Sequence, residues 1–143
     1  MDNPNKKPPS RTGRPSREAM LDRVREAIRL LDDPIGLEES PLVSLPAVRS
    51  LTASTFRGRT CASGLALRAV LRETLAAIHR DLDGTLVAEL AAAALNGVRQ
   101  STIAEQCGVS EEWISRRWKP VLLALVIEQL LVVPEGRPGL RAA

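Results

Sequence analysis

The chain has 143 residues, 44% of them apolar, which suits one compact domain with tails and is enough for a packed core. Aromatics make up only 2%, with no tyrosine, so the core must be built from Leu, Val, Ile and Ala, a palette that favours helix-on-helix packing. A net charge of +3, one histidine and two well-separated cysteines, Cys61 and Cys107, fit an anionic partner and reduced thiols; they leave little from which to build a zinc site or a catalytic set.

Residues 1–15 (MDNPNKKPPSRTGRP) are rich in Pro, Lys and Arg and carry no apolar periodicity, which reads as a disordered basic leader without a signal-peptide core. Ser16 can cap a helix in which Met20, Val24, Ala27, Ile28 and Leu31 recur at helical spacing. Pro34 and Gly36 should end it near Asp32. Ser44 before Leu45-Pro46 reads as the cap of a short helix reaching about Ala53, and Phe56–Arg59 as a loop. These N-terminal helices and their loop occupy residues 16–62.

From Ser63 a long amphipathic stripe runs through Leu67, Val70, Leu71, Thr74, Leu75, Ile78 and Leu82. Arg68, Arg72 and Arg80 then form a solvated face. His79 reads as a surface histidine and Asp81 with Asp83 as a turn, Asp83 being placed to cap the next helix. That alanine-rich helix should stop at Asn96-Gly97. Two short helices follow. Pro120 then opens another segment, VLLALVIEQLLVV, in which only Glu128 and Gln129 are polar. A helix so apolar must be buried, either at the centre of the core or in a homodimer interface. The helical core thus spans 63–133, and 134–143, with two prolines and two glycines, form a flexible tail. The longest apolar run, Val121–Ile127, is far short of a bilayer span, so a cytoplasmic, nucleoid-associated protein without membrane contact is expected.

The segment QSTIAEQCGVSEEWISRRWK (100–119) meets the demands of two helices crossing at a tight turn. Ala104 is small enough for the crossing, and Gly108 can take a positive φ. Ile103, Cys107, Val109 and Ile114 fall at core-facing offsets. Ser110 is placed to cap the second helix, with Glu111 and Glu112 at its positive end. One apolar position is occupied by Arg117, and Trp118 beside it is the candidate for the inward contact.

On these residues the segment resembles the helix-turn-helix superfamily of bacterial transcription regulators and recombinase DNA-binding domains. The resemblance implies an all-α domain of about six to seven helices with a C-terminal trihelical unit. It also implies a second helix whose N-terminal part enters the major groove of double-stranded DNA. Carried over, Ser110, Glu111, Ser115, Arg116 and Lys119 face the DNA, Arg116 suited to guanine and Glu111 to cytosine. The stretch from Arg11 to Arg17 resembles an AT-hook core or the minor-groove arm of an invertase, which would add Arg11 and Arg14 to the contacts.

The expected function is therefore sequence-specific regulation of transcription, without cofactor, metal or catalysis. Two alternatives share the same helices. One is an adaptor docking on a larger protein complex through its helices and both tryptophans. The other is a DNA-binding accessory factor of a recombination or transposition system.

Overall fold

The computed structural model of the chain describes residues 16–131. The described chain is all-α, as its aliphatic composition predicts. Seven α-helices occur in the order α1 (Arg17–Arg29), α2 (Pro34–Glu38), α3 (Pro46–Ser54), α4 (Ala62–Asp81), α5 (Leu86–Asn96), α6 (Gln100–Cys107) and α7 (111–130). A single 3-10 turn, Pro41–Ser44, lies between α2 and α3. The expected leader, with Arg11 and Arg14, and the expected tail both lie outside the described residues.

Helix α4 is the axis of the fold. Leu67, Val70, Leu71, Thr74, Leu75 and Ile78 are buried along it, and α2, α3, α5 and α7 pack around it. Thr74, the one buried polar side chain among the described residues, donates its hydroxyl to the Val70 carbonyl at 2.8 Å, so its burial leaves no orphan donor. Gly64 lets α2 cross close by: a Cβ there would stand 2.0 Å from the Pro34 carbonyl oxygen. The chain enters α4 through Cys61, which holds a left-handed φ of 57°, a costly conformation for a residue with a side chain. Burial, and then the nearby Glu38 carboxylate, push the Cys61 thiol above its ordinary pKa.

Local caps follow the sequence at some ends and depart from it at others. Ser16 caps α1, accepting from the Ala19 amide at 3.1 Å. Pro34 and Gly36 do not simply end that helix. Asp33 accepts from the Gly36 amide at 3.1 Å, and Pro34, whose missing N–H is no loss in a first turn, opens α2. Ser44 is not a cap either: its hydroxyl donates back to the Pro41 carbonyl, and α3 starts at Pro46 with no side-chain cap. Thr85, not Asp83, caps α5, through the Ala88 amide at 3.1 Å. His79 is not a free surface group. Half-buried, it donates through Nδ1 to the Ala88 carbonyl at 3.1 Å and ties α4 to α5.

The largest departure is at Pro120, which does not begin a separate helix. The second helix of the 100–119 segment and the apolar C-terminal segment are one helix, α7. It comprises an α-turn at Glu111–Trp113, a π-turn at Ile114–Trp118 and regular α-helix at Lys119–Leu130. A proline inside a helix has no amide for the carbonyl four residues back, and its ring clashes with that carbonyl. Widening the preceding turn to i→i+5 spacing relieves the clash and lets the helix continue. No helix among the described residues is long and apolar enough to cross a membrane.

Candidate nucleic-acid interface

Helix α6 packs on α5 and on the start of α7, and α5 in turn packs on α4. Ile103 and Ala104 are the inward residues of α6, and Ile114 is fully buried at the start of α7. Between α6 and α7 lie three residues, 108–110. Gly108 takes φ 69°, the Val109 amide donates to the Ala104 carbonyl at 3.0 Å, and the Gly108 amide donates to Glu105 at 3.3 Å. This is a Schellman closure, which satisfies carbonyls that a helix end leaves free and turns the residue after the glycine inward. Val109 accordingly packs on the core. Cys107, expected to face inward, is exposed: as the last residue of a two-turn helix it lies past the crossing, and Val109 fills the inward place.

Ser110 starts α7 as expected, its hydroxyl accepting from the Trp113 amide at 3.0 Å. Glu111 and Glu112 stand in the first turn, where the helix dipole favours negative charge. Gln100, from the first turn of α6, reaches across. Its Nε2 donates to Ser115 Oγ at 2.6 Å and to the Glu111 carbonyl at 3.2 Å. The start of α7 is therefore bolted to the start of α6, and the angle between the two helices is held by a side chain as well as by the turn.

Ser110, Glu111, Ser115 and Arg116 are all exposed on this first part of α7. Arg116 pairs with Glu112 at 4.0 Å, with both side chains mostly in solvent (79% and 73%), so the pair holds neither group strongly. Arg117 is exposed beside it. Lys119 behaves differently. It is half-buried, its ammonium makes no hydrogen bond or ion pair among the described residues, and its pKa lies below the ordinary lysine value. Burial is the main cause, and the Arg25 guanidinium of α1 adds to it. Helix α1 packs along α7, so tertiary contact brings to the edge of this surface a cation ninety-four positions away in sequence. Nothing in the periodicity of either helix announces that pairing.

The π-turn also decides where the tryptophans go. In a regular helix, residues five apart point well away from each other. Through the wider turn, Trp113 and Trp118 meet edge to face, with ring centroids 5.7 Å apart and planes at 60°. Trp118 is half-buried against the core, in the inward place that Arg117 leaves empty. Its indole N–H is buried without an acceptor among the described residues, whereas Trp113 is 40% exposed. The sequence signals for the turn are the arginine at an apolar position and the proline three residues later.

Among the described residues, no group of three or more His, Cys, Asp or Glu side chains is placed to hold a metal ion. Compared with protein-family models, with curated proteins and with solved structures, the chain matches none.

Proposed function

We propose that this chain is a double-stranded DNA-binding protein that regulates transcription, reading base edges with the exposed start of α7. The observation that carries this reading is the capped helix start braced by Gln100. It offers Ser110, Glu111, Ser115 and Arg116 together on one exposed surface, with Arg117 beside them. Backbone order matters because a groove contact selects sequence only if its donors and acceptors hold a set register. Lys119 and Arg25 flank the surface as phosphate contacts.

Glu111 and Glu112 oppose phosphates, so magnitudes decide whether Arg116 is available. An exposed ion pair is worth about 0–1 kcal/mol. A bidentate arginine–guanine contact is worth about 1–3 kcal/mol of discrimination. Arg116 therefore exchanges its carboxylate partner for a base edge at a net gain, and Glu112 is released to solvent.

The test is fluorescence anisotropy of the purified full chain on a pool of genomic duplexes across a salt series. Tight binding to a few fragments near physiological salt supports a specific reader. On a selected site Arg116→Ala should lose about 1–3 kcal/mol, with little change on random duplex. Uniform binding that vanishes at moderate salt would leave non-specific electrostatics alone and sink the regulator reading.

The exposed Trp113 favours a second reading, an adaptor that docks on a protein partner, because large aromatics are enriched at such contacts. It predicts no selected DNA site in the same experiment.

A further inference from the structure

Helix α7 buries one face, and its other face has no packed partner among the described residues. Ile114, Leu122, Leu123, Val126, Ile127 and Leu130 turn inward. On the outer side Trp113, Arg117, Val121, Ala124, Glu128 and Leu131 follow one another at steps of three and four residues, which makes a single stripe along the helix. Of the five large apolar side chains exposed among the described residues, three lie on this stripe: Trp113 at 40%, Val121 at 41% and Leu131 at 60%.

The order of residues along the stripe is self-complementary. From the N-terminal end it runs apolar, positive, apolar, small apolar, negative, apolar. Reversing the direction sets Trp113 against Leu131, Arg117 against Glu128 and Val121 against Ala124. Neither Arg117 nor Glu128 has an ion-pair partner among the described residues. They cannot satisfy each other within one chain, since eleven residues of helix separate them by about 16 Å.

We propose that the outer face of α7 is the contact surface for a second copy of this chain, packed antiparallel about a two-fold axis near Val121 and Ala124. A two-fold contact uses the same patch twice, so each Arg117–Glu128 pair forms on both sides of the axis. The stripe is one helix wide, which sets its area near or below the roughly 800 Å² per partner of standard interfaces, so the dimer is weak and concentration-dependent. Ser115, held by Gln100 of α6, and Lys119, beside Arg25 of α1, lie off the stripe. The contact stands on its own whether or not the chain binds DNA.

Charge exchange on the full chain tests both the surface and its register. Sedimentation equilibrium across the micromolar range, without DNA, should show a monomer–dimer equilibrium. Arg117→Glu or Glu128→Arg alone places like charges opposite each other twice per dimer, and should weaken association at least about tenfold. The double exchange Arg117→Glu with Glu128→Arg restores opposite charges and should recover most of the loss. Both positions are exposed, so thermal melting of each variant should match the parent and exclude unfolding as the cause. A monomer at every concentration would overturn the proposal and leave the stripe to another occupant. A dimer indifferent to the single reversals, or a double exchange that fails to recover, would overturn it equally.

Discussion

The Gln100 side-chain amide spans α6 and α7, donating to Ser115 Oγ at 2.6 Å and to the Glu111 carbonyl at 3.2 Å. Two acceptors on consecutive turns of α7 are thus held by one residue at the start of α6. Gln100→Ala should cost about 0.5–1.5 kcal/mol in urea unfolding, the net value of an ordinary hydrogen bond. Ser115→Ala should cost less, because Gln100 keeps the Glu111 carbonyl. Equal losses in the two variants would mean that the backbone contact contributes nothing.

Pro120 closely follows the π-turn of α7, whose widening accommodates the missing amide and the ring, and across that turn Trp113 touches Trp118. The chain has two tryptophans, one phenylalanine and no tyrosine, so its near-ultraviolet circular dichroism reports this pair. Pro120→Ala restores an amide and removes the ring clash. Far-ultraviolet helicity should then hold or rise while the tryptophan signal falls. An unchanged tryptophan signal would show that the packing of Trp118, not the proline, sustains the wide turn.

Lys119 carries a stability cost that its proposed phosphate contact would explain. Its folded pKa lies below the unfolded value, so near neutral pH the protonated side chain works against folding. Between the folded and unfolded pKa values the unfolded chain binds the extra proton, and stability rises with pH across that window. Lys119→Met should therefore melt higher than the parent at neutral pH, with the gap closing as pH rises through the folded pKa of Lys119. The same variant should bind DNA more weakly and lower the salt slope by about one unit. A variant with a higher melting temperature and unaltered DNA binding would remove Lys119 from the interface.

Two glycines are required for different reasons, and asparagine separates them. At Gly64 the obstacle is space, a Cβ meeting the Pro34 carbonyl oxygen at 2.0 Å. At Gly108 there is open space and the demand is a φ of 69°. Gly64→Asn should destabilise by about 1–3 kcal/mol or more, as overpacking does. Gly108→Asn should be tolerated better than Gly108→Val, because asparagine enters the left-handed region and a β-branched residue resists it. Thermal melts of the three variants decide the matter, and a well-tolerated Gly64→Asn would mean that α2 can move off α4.

The longer helices of this protein were legible in its sequence because apolar spacing is a local property, whereas α2, which Pro34 opens where a stop was expected, was not. The stripe from Leu67 to Leu82, the cap at Ser16, the stop at Gly97 and the turn at Gly108 each depend on residues within a turn or two of one another. Caps were less legible where two polar residues competed: Thr85 displaced Asp83, and Ser44 turned back to Pro41, because cap geometry depends on where the backbone leaves the preceding element. The exposed positions Ser110, Glu111, Ser115 and Arg116 were readable from the same short segment. What only the tertiary structure decided lies between elements far apart in the chain. Packing of α1 on α7 brought Arg25 to Lys119, the reach of Gln100 across a turn held Ser115, and burial of Trp118 in place of Arg117 allowed one helix to run through Pro120. Each of these is a balance between local backbone preference and the area buried against a distant partner. Spacing along one segment records only the first side of that balance.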